Sequence, residues 1–362
     1  MSTASRAIKH LSLHRLNGAL NGVHNGVELR VVADIEEGVL PLIEAECQVV
    51  RRLAQEAKWP HRTVTLFVLS DLTPLQRQLQ ALGRTPIGSR PDEFDTDLLK
   101  RPVVNVYDLA APAAAHVFIN QEAMVAAGYW GDELAIQGLL AHEHAHPLAE
   151  SAAVRQLQLK LALDLTVPWA AVPQQAAEWA NRAQDQLGRL ARLLCLVGPR
   201  EVFTNEIALA TGFVQPLLYL NRQNVRNLAT GLRYRPVIQT QLAAAVDAGR
   251  LSRVGADALA LIGDLQGHLM LAMEIAAFQR QGCRAEADEL LTQLVEYVFP
   301  SLDPVVGTLF RSLCEAYVRL SPSASPQETQ KWGGQLLDLL AASLAQRSMS
   351  LTYQIGMIDE QG

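Results

Sequence analysis

The sequence predicts an α+β protein, with a small mixed sheet in its first third followed by a predominantly α-helical C-terminal half. Three observations carry that expectation. The clearest period-two runs of β-branched and apolar residues fall in the chain before residue 121. After Glu150 the apolar spacing is close to 3.6, punctuated by Gly and Pro. Of the 362 residues, 49% are hydrophobic and 19% charged, enough apolar mass for one large domain or two ordinary ones.

The elements follow in order. Residues 27–32 alternate and are expected as a strand, and 35–57 as a long amphipathic helix. Residues 62–69, Arg-Thr-Val-Thr-Leu-Phe-Val-Leu, are the clearest strand, β-branched and alternating. Asp71 starts a helical period to 82, and 83–102 is polar with three prolines, a loop. Val103 to Tyr107 and Ala114 to Asn120 are further strands. Helices are expected near 131–146, 151–166, 172–197, 199–221, 236–249, 253–281, 284–298, 303–319 and 327–347, with a loop at 321–326 and a frayed tail at 359–362. No fixed-period repeat is present.

Charge and cysteine usage exclude some classes. The net charge is −6 and no basic stripe exists to neutralise phosphates, so no nucleic-acid partner is expected. Arg51-Arg52 and Arg233-Tyr234-Arg235 are short and isolated, and read as solvated surface. Cys47, Cys195, Cys283 and Cys314 form no CxxC pair and sit in apolar stretches, as small hydrophobes do in a reducing compartment. Residues 1–18 hold bases but no continuous apolar core, so no secretory signal is expected. No run of about 18 uninterrupted apolar residues calls for a membrane span. A cytoplasmic protein is the expectation.

Chemistry is announced at one place, His142-Glu143-His144-Ala145-His146. On a helix, His142 and His146 project from one face a turn apart, and two imidazoles so placed can ligate one zinc ion. Glu143, one residue on, can take a proton from a metal-bound water. The flanks are mostly apolar, so these ionisable groups need partners. The bland alternative is a His-rich polar face. Pro147 removes a backbone donor and is expected to kink or end the helix.

A catalytic zinc needs a third protein ligand. Positions 149 and 152 are both Ala, so no continuation of the form HExxHxxGxxH exists, and Glu150 lies two turns from His142. The candidate stretch is 199–212, an amphipathic helix. Within it Glu206 precedes the apolar run Ile-Ala-Leu-Ala and is expected to point inward. Glu201, in the first turn after Pro199, reads as a helix N-terminal acid and stays open as the other choice.

HExxH followed by a glutamate on a later helix, preceded by Asn, resembles the gluzincin group of zinc metallopeptidases. The resemblance covers His142 to Glu206, and is specific at His142, Glu143 and His146 but loose at Glu206. It implies a zincin-type active-site helix, zinc bound by His142, His146 and Glu206, and Glu143 as general base. Four residues after Glu206 stands Ala210, where some members carry an acid supporting a zinc-bound His, so that support must come from elsewhere. The implied organisation is an N-terminal extension at 1–26, a zincin-like catalytic domain at 27–220 and a helical domain at 221–362. The strand at Ala114–Asn120 is expected to be an edge beside the metal helix, where an extended peptide adds by backbone pairing. Tyr219, Tyr234 and His116 are candidate oxyanion donors, and His268 reads as an ordinary histidine with Asp264 as partner.

Three readings compete. The first is a zinc metallopeptidase acting on a peptide or protein substrate. The second is an interaction or regulatory protein with a vestigial site and a protein partner on its helical half. The third is a metal-dependent hydrolase of non-peptide amides.

Overall fold

The computed structural model describes residues 27–56, 59–72, 101–107, 112–150 and 159–357. Most of the expected helix at 71–82, most of the 83–102 loop, residues 151–158 of the expected 151–166 helix, the 1–26 extension and the 359–362 tail lie outside the described residues. The fold is mixed α+β and mostly helical, with a small mixed sheet. By internal contacts, the described residues from 27 to 150 with 207–220 form one compact unit. Those from 159 to 206 with 221–357 form the other.

The first unit is built on four strands. They are β1 (Glu28–Ala33), β2 (Thr63–Leu69), β3 (Val103–Tyr107) and β4 (Ala114–Asn120), in the order β1-β2-β4-β3. β1, β2 and β4 run parallel, and β3 is antiparallel to β4. Alternation does what the sequence anticipates: Val64, Leu66 and Val68 of β2 and Ala115, Val117 and Ile119 of β4 are fully buried. One expectation is corrected. β4 is hydrogen-bonded on both sides, so it is an inner strand, and the edges are β1 and β3. The physical sign was the run Val117-Phe118-Ile119, which suits a strand covered on both flanks.

Helix α1 (Val39–Glu56) packs against the helix of the HExxH motif, and a short α2 (Gln121–Ala126) joins β4 to it. That motif helix, α3 (Glu133–Glu150), is opened by Asp132, whose carboxylate accepts from the Ala135 N–H at 3.1 Å. Asp132 is held in turn by the Tyr219 hydroxyl, which donates to its other oxygen at 2.5 Å. A Cβ at Gly138 would stand 2.7 Å from the Pro216 carbonyl oxygen, so only glycine admits the close approach of that later helix. Pro147 does not end α3; the helix runs through it to Glu150.

His61, next to β2, is almost fully buried and its Nδ1 lies 2.6 Å from the Pro112 carbonyl oxygen. A carbonyl only accepts, so Nδ1 carries the proton. Burial pushes the His61 pKa down to about 4, with the Pro112 bond opposing that shift and nearby His144 adding to it. The fold therefore holds His61 neutral, and protonation is easier in the unfolded chain. Its contribution is intact above the unfolded value near 6.5 and is lost as pH falls toward 4. The full loss is about 3 kcal/mol. Thermal melts of wild type and His61→Phe between pH 7 and 4 should converge as pH drops, and parallel curves would refute the assignment.

In the second unit the sequence reading needs a larger correction. Residues 159–166, expected as helix, form strand β5 (Leu159–Thr166), and Ser350–Met357 form β6, its antiparallel partner. The period is two: Leu161, Leu163 and Leu165 face Ile355, Tyr353 and Leu351, while Lys160, Ala162 and Asp164 are exposed. Helix α4 (Pro173–Arg192) packs on β5. A π-turn at Leu193–Val197 then leads into α5 (Gly198–Ala210). The buried Tyr317 hydroxyl donates to the Leu194 carbonyl oxygen in that turn at 2.7 Å.

The expected helix at 199–221 is broken into α5 and α6 (Val214–Gly231) by Gly212, at φ +90, a value that suits glycine. A side chain there would also collide with the Arg52 guanidinium. Helices α7 (Arg235–Asp247), α8 (Arg253–His268), α9 (Leu271–Arg280), α10 (Arg284–Tyr297), α11 (Pro304–Val318) and α12 (Pro326–Ala345) complete the unit. The expected helix at 253–281 is therefore two, α8 and α9. That stretch is long and apolar enough to cross a membrane by composition alone, yet 61% of its apolar window is buried in the protein, as a core helix would be. His268 bonds Asp264 through the backbone carbonyl at 2.8 Å, because the Asp264 carboxylate is taken by Arg235.

Candidate metal centre

The motif helix presents its chemistry on two faces. His142 and His146 stand one turn apart, ring centroids 4.8 Å from each other and planes at 84°. His144 points the other way. Its Nε2 lies 2.6 Å from Oε1 of Glu46 on α1, both side chains fully buried. This pair ties α3 to α1 across the face opposite the candidate ligands. Removing one partner would strand a buried polar group, a loss of several kcal/mol in well-buried pairs. Nothing near His144 in sequence signals Glu46, 98 positions away.

Glu143 is held by edge strand β3. The Asn105 backbone N–H donates to Glu143 Oε2 at 3.2 Å, and the Asn105 side-chain Nδ2 donates to the Glu143 carbonyl oxygen at 3.1 Å. Sequence reasoning missed Asn105. The signal available was a polar residue at the centre of the apolar run Val-Val-Asn-Val-Tyr.

His142 and His146 are both half-buried on α3 and offer two of the ligands a metal ion needs. Glu201, also half-buried, sits in the first turn of α5. Two imidazoles with a carboxylate as the third ligand would suit zinc.

Glu206, the other acid on α5, is engaged elsewhere. Arg280 Nη2 donates to Glu206 Oε2 at 3.1 Å and Arg280 Nε stands 2.9 Å from Oε1. Arg280 is itself fixed by the carbonyls of Tyr317, Val318 and Leu320, and lies over the Phe203 ring. Five residues separate Glu201 from Glu206, a rotation of about 140° around the helix, so the two acids leave it in different directions. Asn205, which precedes Glu206, donates to Glu274 at 2.8 Å.

Each candidate oxyanion donor is either bonded to a neighbour or exposed. Tyr219 holds Asp132, Tyr234 is exposed with its hydroxyl bonded to Arg233, and His116 is exposed on β4 beside Phe67. Compared with protein-family models, curated proteins and solved structures, the chain matches none. What the protein does is therefore a matter of these side chains and their chemistry.

Proposed function

We propose that the protein is a zinc-dependent metallopeptidase of the gluzincin type, in which His142, His146 and Glu201 hold the metal and Glu143 is the general base. The observation that carries this reading is the pair His142 and His146, one turn apart on α3, with Glu143 beside them tied to an edge strand. Glu201 takes the place expected for Glu206, because Arg280 occupies Glu206. When bound, zinc supplies a Lewis acid and a water whose pKa falls to about 7.

The chain's own residues do the rest. Glu143 accepts the proton of the attacking water and returns it to the leaving amine. Asn105 keeps that carboxylate from swinging away. Among the described residues the edge strand beside α3 is β3, and the outward backbone groups it keeps besides the Asn105 N–H offer an extended peptide a place to pair. His144 and Glu46 hold the helix in register from behind.

The direct test uses the purified chain and a broad library of quenched fluorescent peptides. Turnover should vanish with a chelator and return with added zinc. A folded, zinc-loaded protein that cleaves no peptide would overturn the reading.

A further inference from the structure

We infer that Asn105 is a positioning residue for Glu143, and that Pro147 creates the vacancy it fills. The inference rests on the proposed role of Glu143 and adds how that role is held in place. In an α-helix the carbonyl of residue i accepts from the N–H of residue i+4. The partner of the Glu143 carbonyl would be residue 147, a proline, which has no N–H to give. In α3 that carbonyl accepts instead from Asn105 Nδ2 at 3.1 Å. The helix continues past Pro147 without interruption to Glu150.

The orientation of the Asn105 amide follows from chemistry. A carbonyl oxygen can only accept, so the NH2 group must face Glu143. Among the described residues the buried Asn105 Oδ1 has no partner, so the side chain is placed for the bond it donates. The same residue also offers its backbone N–H to Glu143 Oε2. Asn105 lies opposite Val117 in the β3–β4 ladder, and neighbouring residues of an antiparallel strand alternate between facing the partner and facing away. Its N–H faces away, toward α3. One residue of the edge strand thus grips the backbone and the carboxylate of Glu143 together. That fixes the distance between the base and the strand on which a peptide would pair. A helix with alanine at 147 would close its own ladder and need no such tether.

Two explanations of the Asn105 side chain differ in outcome. If it merely fills an orphaned carbonyl, a restored helix N–H should replace it fully. If it positions Glu143 against β3, a helix N–H satisfies the carbonyl but not the placement. The experiment compares Asn105→Ala, Pro147→Ala and the double variant in the zinc-loaded chain. Asn105→Ala should melt about 2–4 °C lower, and its kcat should fall about 10–100-fold. KM and zinc content should stay unchanged. In the Pro147→Ala background the melting loss from Asn105→Ala should disappear while the kcat loss persists. Recovery of kcat in the double variant, or an unchanged kcat in Asn105→Ala, would overturn the positioning role. If the wild-type chain cleaves no peptide, the metallopeptidase reading is what fails. The tether is then judged by the melting cycle, where simple additivity of the two substitutions would overturn it.

Discussion

Glu143→Gln is expected to give a folded protein with wild-type metal content and peptide hydrolysis slower by about 10²–10⁴-fold. The amide has the shape of the carboxylate, so the side-chain packing around it should survive. The contact with the Asn105 backbone N–H can also survive, because the Gln carbonyl oxygen can accept that bond where Glu143 Oε2 does now at 3.2 Å. What the variant lacks is a group able to take a proton from water at neutral pH. The measurement is kcat and zinc content on the same preparation. A loss confined to kcat/KM through a raised KM would place Glu143 in substrate binding instead. Wild-type turnover would remove it from the chemistry.

The fold is legible where periodicity is local and strong. β3 and β4 fall at the expected residues, and β2 within one residue of them. β5 and β6 escape the sequence reading although each alternates, because Leu159 to Thr166 lies in a helical neighbourhood and its partner comes almost two hundred residues later in the chain. Helix breaks inside 199–221 and 253–281 escape it for a similar reason. The apolar period carries on through Gly212 and through Leu269-Met270, while the break is a matter of backbone dihedrals and packing. By its local effect alone Pro147 is a helix stop. The side chain that compensates it comes from β3, 38 positions before Glu143.

The site is half legible for the same physical reason. His142, Glu143 and His146 share one helix, so spacing alone puts them together. Glu46 and Asn105 reach α3 only through tertiary packing. The choice between Glu201 and Glu206 turns on a partner, Arg280, that no local pattern reveals.

That choice makes the second large expectation. Glu201→Gln should lower zinc affinity by more than about 100-fold, since even groups that only support a ligand are worth about 10–100-fold. His142→Ala should do the same. Glu206→Gln should leave zinc at one equivalent per chain and act on stability instead. It replaces a carboxylate facing Arg280, where both side chains are mostly shielded, with a neutral amide. The guanidinium keeps its three carbonyl partners, so the loss is a charge-assisted hydrogen bond, about 2 kcal/mol. Elemental analysis after dialysis against a graded chelator, with denaturant melts of the same samples, separates the two effects. Zinc lost in Glu206→Gln and kept in Glu201→Gln would restore Glu206 as the ligand. Arg280 would then have to release it when the metal binds, and Arg280→Ala would raise zinc affinity. With Glu201 as the ligand, Arg280→Ala should leave affinity where it is and lower stability, because the Arg280–Glu206 pair braces α5 away from the metal.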